Sequence, residues 1–512
     1  MRITASWTWL LAGLLVLVSA GPLPAGADGG ATLLAQHRAY VGWQLGDGSV
    51  TSLVLDRSYT NDKGKVTQSV IERRLELAYR RDYITKSDRH SSSGFTGHIF
   101  WTTSDNGFTV PLLGKDAKYE LAIDALFMEA TTELPAALQG STQIDGKSVS
   151  IVRLTMMGGE RIDVYEDPQT GAYLRAVVDP GGPDETTVNI ASYMTIAPGK
   201  RFIGTWSFGD DKGSYHYTNV ALNVPVTDDA LHPPAPTATW TFGNSAPFPI
   251  RVTDSRIYVD AKVNGVPGRF ILDTGAGGIA LTDDFANRAH VKTIDRSVTF
   301  GIGGETKDLV RRAETIEIGG NTLSNVIVQT LNEHFDDTIN NEKPDGLIGF
   351  DLFAASIVNL SISGGTMQIL DPSQGPAKAP DGATPFTVDL SEFVPRLPMK
   401  VNGTLDVLAI LDTGGEDSVI LSDQIEKHGV NIFADRRGFL GANTAALGVG
   451  GEELLVCGPL PRVAIGPFIY SGIQVCESKK WALDEGLVGY DFLKHFDYIF
   501  DYPHDTLYMK EH

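Results

Sequence analysis

The chain has 512 residues, of which 42% are hydrophobic and 21% charged; this is too long for one hydrophobic core and implies a globular protein of two to four domains, not a collagenous or largely disordered one. A formal net charge of -21 leaves no basic footprint for a nucleic-acid backbone or an anionic membrane surface, and otherwise serves solubility.

The first 27 residues read as a secretory signal: one Arg, an apolar run from about Trp7 to Val18, then small residues with Ala25-Gly26-Ala27 before the cut at Asp28. An uncleaved anchor is the alternative, but the apolar run is short for a bilayer span. The mature protein is therefore expected to be periplasmic or secreted, without stable membrane insertion.

From Asp28 to His232 the pattern predicts one antiparallel β domain. ATLLAQHRAYVGW suggests an opening helix, YELAIDALFMEATT a second one lying across the sheet, and the rest short strands such as TSLVLDRSYT, SVIERRLELAYRR and RIDVYEDPQTGAYLRAVVD. Asp145-Gly146 and Asp167–Gly171 supply turns, with Gly taking the positive φ that hairpins need. Residues 233–250 and 373–386 are rich in Pro and Ala and read as linkers, unable to hold a helix or a central strand. They leave two further segments, 251–372 and 387–512.

These two segments repeat one another. KVNG at Lys262–Gly265 recurs at Lys400–Gly403, FILDTGAG recurs as AILDTGGE, and GIGG at Gly301–Gly304 recurs as GVGG at Gly448–Gly451. ALTDDFANRA matches ILSDQIEKHG, where Thr282 and Ser422 are placed to cap a following helix. GLIGFDLF at Gly346–Phe353 matches GLVGYDFL at Gly486–Leu493. The offset is 139 residues between Asp273 and Asp412 and 140 between Gly346 and Gly486, so order and spacing persist throughout. A single Asp-Thr-Gly means little in a chain with 55 Gly, where an Asx turn explains it. Two inside a matched repeat indicate a duplicated lobe.

An apolar strand that delivers Asp into a Gly turn puts a carboxylate at the end of a rigid element, with backbone N–H groups free to bond it. Two lobes about a pseudo-twofold axis would bring two such carboxylates together. They cannot both ionise at close range, so one keeps a proton while the other is charged. Such a pair can activate a water against an amide carbonyl and protonate the departing groups, with no covalent nucleophile, metal or cofactor.

The two DTG triplets, each with a downstream GIGG or GVGG and a closing GLIG or GLVG, resemble the retropepsin-like branch of the aspartic proteases from about Arg251 onward. The resemblance implies a mainly β fold of two retropepsin-like lobes, with Asp273 and Asp412 as the catalytic dyad. Thr274 and Thr413 would cross-link the lobes beneath it, and Gly275 and Gly414 would complete the turns. Gly301, Ile302, Gly303 and Gly304, with Gly448, Val449, Gly450 and Gly451, correspond to flaps over a peptide or protein substrate, and Gly349 and Gly489 to strands behind the active-site loops. With the second lobe built in, a monomer is expected. Pepsin-like enzymes usually carry Ser or Thr after DTG, where this chain has Ala276 and Gly415. A dyad titrating less acidically than theirs is expected, with activity in mildly acidic to neutral solution. Glu416 and Asp417 raise the dyad further if they face the cleft; solvent is the expected direction.

The N-terminal domain is similar, through its opening helix and DPQTGAYLR, to half-barrels of periplasmic lipoprotein-carrier and lipoprotein-sorting proteins. That implies a concavity for a lipid or peptide; a structural or propeptide-like appendage is the alternative. Cys457 and Cys476, the two cysteines of the chain, flank a hairpin-like stretch and either pair in an oxidising compartment or stay as buried thiols. HExxH, G-x-S-x-G, Walker and CxxC patterns are absent, and Asn332–Asp337 (NEHFDD) reads as a solvated acidic loop, not a metal site.

Overall fold

The computed structural model describes residues 27–45, 47–87, 89–182, 184–301, 304–331, 343–415, 419–422, 442–448, 451–460, 462–478 and 486–512. The signal segment, the flap-tip residues Ile302, Gly303, Val449 and Gly450, the acidic Glu416 and Asp417, the stretch 332–337 and the helix expected after Ser422 lie outside these residues.

Helix α1 (Ala27–Val41) is followed by β1 (Ser52–Thr60), β2 (Val66–Leu75), β3 (Ala78–Thr85), β4 (His90–Phe95), β5 (Phe100–Thr103) and β6 (Thr109–Leu112). Then come α2 (Gly114–Phe127), β7 (Ala136–Ile144), β8 (Lys147–Thr155), β9 (Arg161–Glu166), β10 (Tyr173–Val178), β11 (Thr186–Ala197), β12 (Lys200–Phe208) and β13 (Ser214–Leu222). The fold is mainly β, as expected, with large antiparallel sheets.

Two compact units form, one from the chain up to Val50 with Leu121–Ser214, the other from Thr51–Glu120 with Tyr215–His512. In the first, β7 to β12 form an antiparallel meander in chain order. Its helix α1 is tied to the meander by buried His37, whose ring stacks on Tyr173 at 3.4 Å and pairs with Glu129 at 2.8 Å. In the second, β1 to β6 follow in chain order with β13 beside β1. Thr51–Glu120 falls in the same compact unit as the duplicated lobes.

The expected single strand SVIERRLELAYRR is a hairpin, β2 and β3, with Leu75 opposite Ala78. Glu76 takes φ 51, a conformation that usually attracts Gly or Asn, so no turn signal marks the spot. Both linkers also enter sheets. Thr239–Thr241, Phe248–Pro249 and Thr384–Thr387 each form a short strand at a sheet edge, where a proline's missing N–H costs no ladder bond.

Each lobe holds its Asp strand in the same frame. Val266–Leu272 pairs antiparallel with Ile257–Val263 and parallel with Gly346–Ile348; Leu405–Leu411 pairs antiparallel with Arg396–Val401 and parallel with Gly486–Val488. Phe270, Leu272, Ala409 and Leu411 are almost completely buried in a single core cluster that runs through both lobes. A six-stranded sheet takes strands from both, joined where Val358 pairs with Phe500. Burying these apolar strands fixes their ends, and the two Asp residues stand at those ends.

Candidate active site

Asp273 N–H donates to Ile348 O at 3.0 Å and Asp412 N–H to Val488 O at 2.9 Å, so each Asp caps the parallel pairing of its own lobe. The turns then close alike: Phe350 N–H donates to Ala276 O at 2.9 Å and Tyr490 N–H to Gly415 O at 2.7 Å. Gly349 and Gly489 sit just past the strands Gly346–Ile348 and Gly486–Val488, each preceding a short helix. A side chain at Gly349 would strike Ala276 O at 2.4 Å.

The two threonines bind the lobes reciprocally. Thr274 Oγ1 donates to Leu411 O at 2.5 Å and accepts from Thr413 N at 3.0 Å. Thr413 Oγ1 donates to Leu272 O at 2.7 Å and accepts from Thr274 N at 3.1 Å. Both are 1% exposed, so removing either hydroxyl would leave its carbonyl and its amide partner unpaired in a dry interior.

This clamp brings the carboxyls face to face. A Cβ at Gly275 would lie 2.5 Å from Asp412 Cγ, and one at Gly414 would lie 2.4 Å from Asp273 Cγ. Only glycine lets each turn pass the other lobe's carboxyl. The half-buried pair is not symmetric. Asp412 Oδ1 accepts from Gly414 N at 2.8 Å and Gly415 N at 2.9 Å. Ala276 N, the counterpart of Gly415 N, turns instead to Asp273 O at 3.3 Å, and Asp273 Oδ1 is buried without a partner among the described residues.

Loss of solvent raises both carboxyls. For Asp273 the charge of Asp412 and the hydrogen bond between the two add to it, opposed by the Gly275 amide and by Arg256, and its pKa stands well above the ordinary value. For Asp412 the hydrogen bond from Asp273 and the amides of Gly415 and Gly414 oppose desolvation, and the rise is smaller. With two amides on Asp412 Oδ1 and none on Asp273 Oδ1, the donor geometry favours Asp412 as the charged member of the pair.

Three residues of this site escape sequence reasoning. Arg256 places positive charge near both carboxyls, but the residue 139 positions on is Pro395, so the repeat gives no hint of it. Asp351, 2% exposed, accepts the Ile279 amide at 3.0 Å at the far end of the Asp273 turn. Asn106, far away in sequence, holds both backbone groups of Ile327, in the strand beside Ile279–Thr282. GFDLF and GYDFL do align Asp351 with Asp491, which lies at the surface and pairs with Lys494 at 2.9 Å.

Of the flap residues, Gly301 pairs with Gly304 and Gly448 with Gly451, so each GxGG closes a β-hairpin. Cys457 lies opposite Cys476 in the antiparallel register and is disulfide-bonded to it. Among the described residues, no group of three His, Cys, Asp or Glu side chains is arranged to hold a metal ion. A cavity of about 540 Å³ lined by Phe242, Ile357, Ile369 and Ile499 shares no lining residue with either Asp turn.

Residues 259–352, from the strand before Asp273 to Asp351, match the model of the aspartyl protease family. Over that stretch the chain is aspartyl-protease-like. Among solved structures, a retropepsin-like aspartic protease from Rickettsia conorii is similar at 21% identity, over 25% of this chain and 89% of that one, with a TM-score of 0.20. A DUF1329 family protein from Desulfovibrio piger is similar at 12% identity, over 41% and 98%, with a TM-score of 0.31. A Vibrio parahaemolyticus domain described as an outer membrane lipoprotein-sorting protein is similar at 12%, over 40% and 97%, with a TM-score of 0.28. No curated protein matches the chain.

Proposed function

We propose that this protein is an exported aspartic endopeptidase that cleaves peptide bonds of peptides or proteins between its two lobes. The observation that carries the reading is the carboxyl pair itself, held by the reciprocal Thr274–Thr413 clamp and supplied unequally with N–H donors. Asp412, the charged member, takes a proton from a water as its oxygen attacks the scissile carbonyl carbon. Asp273 gives its proton to the carbonyl oxygen, and a neutral tetrahedral diol results. Its collapse breaks the C–N bond, returns a proton to Asp273 and delivers the one held by Asp412 to the leaving amine. No net charge is created at the site, which suits a pair largely withdrawn from water.

The hairpins Lys292–Gly301/Gly304–Ile318 and Ala442–Gly448/Gly451–Leu460 act as the flaps, and a monomer suffices because both carboxyls come from one chain. Export rests on the layout of the first 27 residues and predicts a mature N-terminus at Asp28, readable by mass spectrometry of the protein recovered from the cell envelope or medium.

The test is hydrolysis of denatured casein across pH, with and without pepstatin, by the wild type, Asp273→Asn and Asp412→Asn. Cleavage lost in both variants supports the reading. Equal activity in all three, or none in any, rejects it in favour of a peptide- or lipid-binding envelope protein that keeps the protease fold without turnover.

A further inference from the structure

The loop between β5 and β6, Ser104–Phe108, is built to be stiff. Ser104 N–H donates to Phe108 O at 2.9 Å and Gly107 N–H to Ser104 O at 2.9 Å, while Ser104 Oγ accepts from Asn106 N and Phe108 N, both at 3.3 Å. Phe108 and Val110, 3% and 2% exposed, belong to the core cluster of the two lobes. A hairpin far from the lobes in sequence is thus part of their interior.

Its tip meets the first lobe through Asn106, 2% exposed. Asn106 Nδ2 donates to Ile327 O at 2.9 Å and its Oδ1 accepts from Ile327 N at 2.7 Å. Ile327 belongs to the strand Asn321–Leu331, which runs parallel beside Ile279–Thr282 with Gln329 opposite Ala280, just past the Asp273 turn, and Asp351 Oδ2 accepts the Ile279 amide that ends that turn. Asp105 beside it is held by Arg89 at 2.8 Å. Beyond β6 the segment reaches the second lobe, where Leu113 N–H donates to Ser391 Oγ at 3.2 Å and Asp116 lies 3.7 Å from fully buried Arg396. One hairpin and its flank therefore touch both lobes.

We propose that Thr51–Glu120 is a brace for the active site, with Asn106 as a positioning residue that acts through the Ile327 strand on the turn bearing Asp273. The proposal rests on Asp273 and Asp412 being the catalytic pair, and it makes the segment a fixed part of the catalytic unit, not a removable appendage. A carboxyl displaced by an ångström loses its alignment with the water and its partner, which costs up to about 100-fold in rate.

The experiment compares Asn106→Ala, Asp351→Ala, Asp351→Asn and, as a control on the same hairpin, Thr109→Ala, in the full chain. Two readouts are taken: kcat and KM on a casein-derived peptide, and hydrogen exchange of the peptide spanning residues 270–282, which needs no turnover. In Asn106→Ala and Asp351→Ala, kcat falls about 10- to 100-fold with KM within about threefold, and exchange at 275–279 speeds up about tenfold or more. Asp351→Asn keeps an oxygen for the Ile279 amide and stays within about threefold of wild type in both readouts, as does Thr109→Ala. Folded Asn106→Ala with unchanged kcat and unchanged exchange overturns the brace. Equal losses in both Asp351 variants overturn a role for the Ile279 hydrogen bond in holding the turn. If the wild type cleaves nothing, the protease reading fails, while faster exchange in Asn106→Ala still upholds the brace.

Discussion

The two active-site turns come from one repeated sequence and end in different electrostatic states. Asp412 Oδ1 receives two backbone N–H groups, whereas the turn after Asp273 spends the equivalent amide of Ala276 on a backbone carbonyl. Behind the turns the contrast repeats. Asp351 is enclosed and accepts the Ile279 amide, while Asp491 at the matching position is a surface residue paired with Lys494. Duplication supplies two carboxyls; in the proposed reaction it is their unequal surroundings that divide the work of acid and base between them.

The division is most directly broken at the carboxyls. Asp273→Asn and Asp412→Asn should each lower kcat/KM on casein peptides by about 1,000-fold or more, since neither half of the proton exchange can be skipped. Carbon-13 labelling of Asp side chains sharpens the assignment. The signal that stays protonated to higher pH should vanish in Asp273→Asn; its loss in Asp412→Asn instead would reverse the roles.

The second contrast is thermodynamic. Burial pushes Asp351 up from an ordinary value near 3.8 to about 7, against the hydrogen bonds from Asn106 and Ile279. Because the folded state holds this proton more tightly than the unfolded chain, stability from this group is full below about pH 4 and is lost as pH rises to about 7. At about 1.4 kcal/mol per pH unit, roughly 4 kcal/mol is at stake. Denaturant titrations from pH 4 to 8 should show that decline in wild type and much less of it in Asp351→Asn. Asp491→Asn should change stability by less than about 0.5 kcal/mol at any pH, since its ion pair is exposed.

The clamp tests what the two turns share. Thr274→Val and Thr413→Val should each cost about 1–3 kcal/mol in urea unfolding by stranding buried partners, and nearly equal losses are expected because the bonds are reciprocal. The smallest effect belongs to Arg256. Its charge lowers both carboxyls, so Arg256→Met should move the acid limb of the pH–rate profile upward; a downward move contradicts the placement of that charge.

Much of this site was legible in advance because local patterns dictated it. The strand before each Asp is an apolar run that can only be interior, and the glycines after each Asp are where no side chain fits. Thr282 caps Asp283–Arg288 by accepting the Phe285 amide at 3.3 Å, as its position suggested. Where local chemistry is silent the reading stopped. Glu76 turns a hairpin without a glycine, and proline-rich linkers end as edge strands because a neighbouring sheet offers them an edge.

The sequence by itself determined that there would be two lobes, two Asp-Thr-Gly turns and a mainly β framework, since periodicity, glycine placement and a repeat of constant offset are all local or self-comparing signals. Which carboxyl collects the backbone donors, and what stands behind each turn, is set only when the chain folds. Those depend on where two amides point, on Arg256, which has no counterpart in the second lobe, and on Asn106 arriving from more than 150 residues away. Desolvation and hydrogen bonding act through space, and no spacing along the chain encodes them.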